Sequence, residues 1–329
     1  MITHSIQLLN QLRYPTGLFA AAQKNVATGY SRAWMRDNIY ATLGLEALGD
    51  YAAVLPTYHA LLDIMRKHES KIDWMIQEPS PKHAYRYIHA RYDPLTGNEI
   101  LEEWGNKQND AVGALLFKIG DLHKKGVPVI RDQTDLRIIQ KLVDYLASIE
   151  YWHDADNGMW EEAEEVHASS VGACVAGLEA VKHLVNVPQN LVSQGRLTLS
   201  VLLPRESKTK HVDLALLSLI YPYNIVTEEQ KQAILKNVEE LLVREKGVLR
   251  YLGDKYYSNG SEAEWTMGLP WLAIIYKNQM HKHRFYMEKT LAAMNEQGEL
   301  PELYFGGTKE HNENTPLGWA QSLYVVAAQ

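Results

Sequence analysis

Apolar residues recur along this chain at intervals of three and four, the spacing that lines one face of an α-helix. The pattern predicts helices near 3–13, 34–48, 51–67, 107–122, 133–150, 169–185, 189–200, 211–220, 228–243, 262–277, 280–296 and 316–328. Thr227 with Gln230 reads as a capping box, and Thr315-Pro316 places proline in a first turn. The rhythm changes at 83–100, where Tyr85, Tyr87, Ile88, Arg91 and Tyr92 run into Asp93-Pro94-Leu95-Thr96-Gly97, a short hairpin with its turn. No low-complexity segment, Pro/Gly/Ser linker or obvious repeat divides the chain, so residues 1–329 are expected to form one domain.

About twelve helices pair naturally as six hairpins. Two concentric rings of six make an (α/α)6 toroid, an all-α fold with the hairpin as an insertion. The polar and aromatic clusters follow an alternation. Arg36-Asp37, Trp104 to Asp110, Trp160-Glu161-Glu162, His211 with Asp213, Arg250 to Glu262, and Glu302 to Tyr304 each open or precede an even-numbered predicted helix. Where helix direction alternates, those starts share one face, and six loops converge on one pocket.

Composition narrows the partners. A net charge of −7 argues against nucleic acid or an anionic membrane surface. No apolar run reaches the ~20 residues of a membrane span, and the start lacks a basic segment followed by an apolar one. Cys174 is the lone cysteine, so no internal disulfide forms. The expectation is a cytoplasmic protein. Tyr (19) and Trp (8) far outnumber Phe (4), which suits a ligand with apolar ring faces and a hydroxyl rim; a Tyr-rich core with polar tips at the surface explains the same bias.

Two carboxylates stand out. Glu161 follows Trp160, and Glu302 sits in Pro301-Glu302-Leu303-Tyr304 roughly 140 residues later. Inverting glycosidases need a protonated carboxyl beside the leaving oxygen and an ionised one that activates water, roughly 6.5–9.5 Å apart. Glu161 is the candidate acid, with like-charge repulsion from Glu162 and desolvation by Trp160 expected to raise its pKa. Glu302 is the candidate base. By themselves, Glu161, Glu162, Glu164 and Glu165 read more commonly as a solvated acidic run, and Glu302 as an exposed loop carboxylate. No GxGxxG, P-loop or HExxH pattern is present, and no metal or cofactor is expected.

The run Ala33-Trp34-Met35-Arg36-Asp37-Asn38 resembles the W-x-R-D signature of glycoside hydrolase family 15, which holds the glucoamylases. Relatives of that family include the amino-terminal region of phosphorylase kinase regulatory subunits. The likeness continues in order through Trp104 to Asp110, Gly158 to Glu162, His167 to Gly172, Asp213 to Leu217, Arg250-Tyr251 with Asp254, Tyr256 and Tyr257, Glu264-Trp265, Trp271, Leu300 to Tyr304 and Gly318 to Leu323. It implies Glu161 as general acid, Glu302 as base, and Arg36 and Asp37 on the hydroxyls of a terminal glucose. It further implies Trp104 as a stacking wall, Glu162 in contact with sugar, Arg250 on the sugar around the scissile bond, and Trp34, Gln108, Asp110, Trp160 and Trp319 as substrate-binding positions. The implied activity is an exo-acting, inverting α-glucosidase releasing β-glucose from an α-linked gluco-oligosaccharide. The first motif begins at residue 34, so the β-sandwich that precedes the toroid in typical prokaryotic members is not expected, nor is a starch-binding module. Asn106-Lys107 replaces the Arg-Pro common in the hydrolases, and several motifs lie closer to the kinase subunits, so the alternative is a non-hydrolytic glucan-sensing domain. A helical scaffold binding a peptide is a third reading. Oligomeric state is not legible.

Overall fold

Two kinds of helix build this protein, and they differ in how far around they are buried. The computed structural model describes residues 1–102 and 104–329. Among them are twelve α-helices: α1 (Ile2–Leu12), α2 (Met35–Ala47), α3 (Tyr51–Lys67), α4 (Glu69–Gln77), α5 (Asn109–Lys124), α6 (Gln133–Ser148), α7 (Ala168–Val181), α8 (Gln189–Leu202), α9 (Glu228–Leu241), α10 (Gly268–Ile275), α11 (Met280–Ala292) and α12 (Gly318–Ala327). Helices α2, α5, α7, α10 and α12 are buried on nearly every side, as is a 3-10 segment at Leu214–Leu219. Such all-round burial marks a helix with no solvent face. The six pack in the order α2, α5, α7, 214–219, α10, α12, and α12 returns to α2, closing a ring.

The other helices each bury one stripe and face water with the remainder. In α6 the stripe is Ile138, Ile139, Leu142, Val143, Tyr145 and Leu146, the i, i+4, i+7 rhythm legible in the sequence. These helices form the outer layer: α1 lies on α12, α3 on α2, α6 on α5, α8 on α7, α9 on 214–219 and α11 on α10. The expected (α/α)6 toroid is therefore present. No helix among the described residues is long and apolar enough to cross a membrane.

Several expectations are corrected in detail. The helix predicted at 211–220 is the shorter 3-10 segment, started by Asp213, whose side chain accepts from the Ala215 amide. Helix α4 was not predicted: it buries only Ile72 and Met75, too little apolar periodicity to register. Pro316 lies ahead of α12 rather than in its first turn, because Leu317 is the N-cap. The hairpin at 83–100 keeps its turn, where Asp93 accepts from the Leu95 and Thr96 amides, but carries only one bridge, Tyr92 to Glu99. The principal partner of β2 (Arg91–Tyr92) is β1 (Ala33–Trp34), which it pairs antiparallel with Trp34 opposite Arg91. A second such ladder joins β3 (Glu264–Trp265) to β4 (Leu303–Tyr304). Each ladder holds a loop carrying polar and aromatic residues against the start of an inner helix.

Candidate active site

One cavity of about 550 Å³ opens where the inner elements begin. That volume falls in the usual range of small-molecule sites. Its wall is drawn from the start of α2 (Trp34, Arg36, Asp37), the approach to α5 (Arg91, Trp104) and the loop before α7 (Met159, Trp160, Glu161, Glu162). The stretch before α10 (Arg250, Lys255, Tyr256, Trp265, Met267) and the approach to α12 (Glu302, Leu317, Trp319) complete it with Ala21, Thr28 and Tyr30. Ten of the twelve sequence-derived positions thus meet in one space. Gln108 and Asp110 do not line it. They stand one layer behind, where the Arg36 guanidinium donates to Gln108 Oε1 (3.0 Å) and Asp110 Oδ2 (2.9 Å).

Arg36 is nearly fully buried, and its pairing with Asp110 and Glu161 holds its pKa above the ordinary arginine value despite the burial. A buried guanidinium without those partners would carry a large desolvation cost. Asp37, next in sequence, makes no side-chain ion pair among the described residues. Burial is the main reason its pKa rises to about 6, and its carboxylate faces the cavity.

Glu161 sits in a left-handed backbone conformation (φ +64°), which costs a residue with a Cβ of order 1–2 kcal/mol. The chain around it enforces the bend: a Cβ at Gly105 would come within 2.7 Å of the Glu161 carbonyl oxygen, so only glycine fits there. Burial is the main cause of a Glu161 pKa near 7, with Asp37 pushing in the same direction and Arg36 and Arg91 pulling back. The expected contribution of Glu162 is corrected, because its carboxylate is turned elsewhere. Glu162 Oε1 accepts from Arg250 Nη2 (3.0 Å) and the Tyr251 hydroxyl (2.7 Å), and Oε2 accepts from Lys210 Nζ (2.8 Å).

Glu302 is fully buried and precedes β4. Its Oε1 accepts from the Tyr30 hydroxyl, and its Oε2 from the side-chain amides of Asn312 and Asn314 (2.7 Å for the latter). Burial raises its pKa above the ordinary glutamate value, and the three donors and Arg250 oppose that rise by favouring the ionised form. Both oxygens are held in fixed orientation by these donors.

The aromatic walls are braced as well. Trp160 stacks near Trp319 (centroids 6.4 Å apart, 24°) and donates its indole N–H to Asp213 Oδ1 at 2.7 Å. Trp34 meets Trp104 edge-on, and the Arg91 guanidinium lies over both rings, 4.3 Å from Trp104. Arg250 sits over Trp160, Tyr256 and Trp265 while Asp254 grips it twice at 2.7 Å. Sequence reasoning missed Tyr30, Arg91 and Lys255. Tyr256 and Trp265 lay inside recognised motifs without being singled out. Asn312 and Asn314, two residues apart and just downstream of Glu302, are the kind of amide pair that could have been sought around a buried carboxylate.

The sequence matches the family model for glycosyl hydrolases family 15 over residues 1–328. The chain belongs to that family. Among curated proteins it is 26% identical to the phosphorylase b kinase regulatory subunit alpha, liver isoform, of Mus musculus, over 95% of this chain and 31% of that one. It is 25% identical to the skeletal muscle isoform of Oryctolagus cuniculus over 90% and 30%. The chain spans about a third of the length of these curated relatives. Among solved structures, a wild-type glycosidase superposes with a TM-score of 0.83 at 19% identity, covering 99% of this chain and 95% of that one. A glycosidase variant in complex with glucose gives 0.81 at 19% identity over 99% and 95%. A bacterial glucoamylase complexed with acarbose gives 0.70 at 15% identity over 98% and 54%. These structural likenesses are likenesses of fold, the (α/α)6 toroid.

Proposed function

We propose that this family-15 chain is an exo-acting, inverting α-glucosidase that releases β-glucose from the non-reducing end of an α-linked gluco-oligosaccharide. The observation that carries the reading is a pair of carboxyl groups from distant segments facing one aromatic-walled cavity, Glu161 with a pKa near 7 and Glu302 under three hydrogen-bond donors. Glu161, with its pKa raised to near 7, is still substantially protonated at neutral pH and delivers that proton to the glycosidic oxygen. Glu302 takes a proton from water as that water attacks the anomeric carbon. The bond to the leaving sugar breaks, and the new hydroxyl appears on the opposite face of the ring. Arg36 and Asp37 hold hydroxyls of the terminal glucose, with Gln108 and Asp110 fixing Arg36 from behind. Trp34, Trp104, Trp160 and Trp319 offer ring faces to the pyranose, and Glu162 and Arg250 border the leaving sugar.

The test is proton NMR of the pure protein with maltose, maltotriose, isomaltose, nigerose, kojibiose and trehalose, beside Glu161→Gln and Glu302→Gln. β-Glucose from one of these, absent with either variant while sugar binding persists, is the expected result and names the linkage. Sugar binding without turnover, unchanged by Glu302→Gln, would replace this reading with a glucan-sensing domain. The observation in favour of that second reading is the identity of the curated relatives, which are regulatory subunits of a kinase.

A further inference from the structure

The inner helices α5 and α7 carry a pair of histidines at their far ends. The approaches to both helices line the central cavity, so His123, in the last turn of α5, and His183, two residues past α7, lie on the opposite face of the ring. His123 Nδ1 stands 3.1 Å from His183 Nε2, and both rings are exposed to water. Backbone contact sets that spacing. A Cβ at Gly120 would lie 2.5 Å from the Ala180 carbonyl carbon, so the two helices touch there with no side chain between them. Each histidine follows three residues later, on the same side of its helix one turn further on. The 60 residues that separate the two histidines in the chain hide the pair from any reading of sequence spacing.

Two imidazole nitrogens on one zinc-sized ion, each at about 2.0–2.1 Å and at octahedral or tetrahedral angles, stand about 2.9–3.4 Å apart. The separation here falls inside that interval. The Ala180 carbonyl accepts a hydrogen bond from the His183 ring, and because Nε2 faces His123, Nδ1 is its donor. A carbonyl on the outer nitrogen is the usual support of a metal-bound histidine. It leaves a lone pair on His183 Nε2, which accepts the N–H of His123 Nδ1. An ion replaces that hydrogen bond when the His123 proton moves to the water-facing Nε2, and both rings stay neutral. The negative ends of two helix dipoles favour a cation here, while Lys124 and Lys182 oppose it from exposed positions where salt screens them. Among the described residues no three or more His, Cys, Asp or Glu side chains converge to hold an ion, so water completes the coordination and the ion exchanges readily. We propose that His123 and His183 form a two-imidazole site for a divalent late-transition-metal ion, copper(II), nickel(II) or zinc(II), which ties together the far ends of α5 and α7.

The experiment is calorimetric titration of the full chain, free of any histidine tag, with nickel(II) and copper(II) chloride, beside His123→Ala and His183→Ala. Wild type should bind one ion tightly, and each substitution should weaken that binding by about tenfold or more, because either one leaves a single imidazole. Electron paramagnetic resonance of the copper-loaded wild type should show coupling to two imidazole nitrogens, and each variant should show one fewer. Metal at about a hundredfold excess over Kd should raise the wild-type Tm by several degrees and leave both variants at their metal-free values. Both side chains are exposed, so the metal-free Tm of each variant should equal that of wild type. No saturable binding in wild type, binding unchanged by either substitution, or a loss confined to one of the two variants overturns the proposal, since a chelate needs both rings. None of these readouts requires a sugar or turnover, so the metal site stands or falls independently of the glucosidase reading.

Discussion

At the scale of single residues, the acid–base assignment makes a signed claim about pH. A general acid must be protonated, so kcat/KM should fall as pH rises through the Glu161 pKa near 7. Asp37 raises that pKa and Arg91 lowers it. Asp37→Asn should therefore move the alkaline limb to lower pH, and Arg91→Gln should move it to higher pH, whatever each does to the plateau. Limbs that shift together, or not at all, would remove Glu161 from the acid role; a general loss of packing cannot move them in opposite directions. The same residues show what sequence can and cannot supply. Glu161, Arg36 and Glu302 were legible because each sits in a motif with aromatic neighbours. Tyr30 was not, because it is one tyrosine in a polar loop and its partner Glu302 lies 272 residues away. Gln108 and Asp110 were legible as motif members, yet their place behind Arg36 depends on which way the first turn of α5 faces, and spacing alone does not fix that.

Elements carry the second kind of claim. Helices α5 and α7 approach so closely that a Cβ at Gly113 would lie 2.4 Å from the Ala173 carbonyl carbon, and one at Gly177 would lie 2.4 Å from the Gly113 oxygen. Replacing an interior helical glycine by alanine gains about 1 kcal/mol of propensity. Overpacking against rigid backbone costs ~1–3 kcal/mol or more. The second effect wins because no flexible side chain can yield at this contact. Gly113→Ala should lower the urea midpoint, whereas Gly126→Ala, where no atom stands within 4 Å but φ is +78°, should cost only its backbone strain. An unchanged midpoint for Gly113→Ala would mean that the two helices can separate at little cost. Amphipathic elements such as α6 were readable because their pattern is set by water on one side. The inner elements lack that contrast. The 3-10 segment 214–219 is buried on every side and apolar except for Ser218, and only its Asp213 cap marks where it starts. The short ladders β1–β2 and β3–β4 were unreadable, since two residues per strand give no period and each pairing spans a long stretch of chain.

For the whole molecule, the buried titratable groups set the direction of a stability profile. Burial raises Asp37 to about 6 and Asp156, Glu161 and Asp213 to about 7, and it raises Glu302 as well. His167 rises to about 9 although burial, the largest influence on it, pulls the other way: its hydrogen bond to Glu206 and the nearby Asp156 charge prevail. Each of these groups holds its proton more tightly folded than unfolded, so the folded state binds more protons and stability falls as pH rises. For the carboxylates the contribution is complete below about 4 and is lost by about 7; for His167 it is complete below about 6.5 and is lost by about 9. Opposing them, Asp135 and Asp121 are lowered by lysine and arginine partners that outweigh burial, and Glu69 by its arginine and lysine partners, so these lose stability only on the acid side of their ordinary values; His89, lowered to about 4 by burial, gains stability as pH rises from about 4 to 6.5 but is outnumbered by the raised carboxylates. Thermal unfolding should accordingly give the highest Tm between about pH 4 and 5 and a steady decline to pH 9. His167→Gln removes the contribution lost between about 6.5 and 9, so its Tm should change less than that of wild type across that interval while still declining from pH 5 to 6.5. A wild-type Tm that holds level or climbs from pH 5 to 9 would mean that the cavity carboxylates are charged and solvated throughout, and with that the protonated Glu161 on which the catalytic reading depends would be lost. The site and the fold are therefore tied to one observable, because the burial that makes Glu161 an acid is the same burial that makes the toroid less stable in alkali.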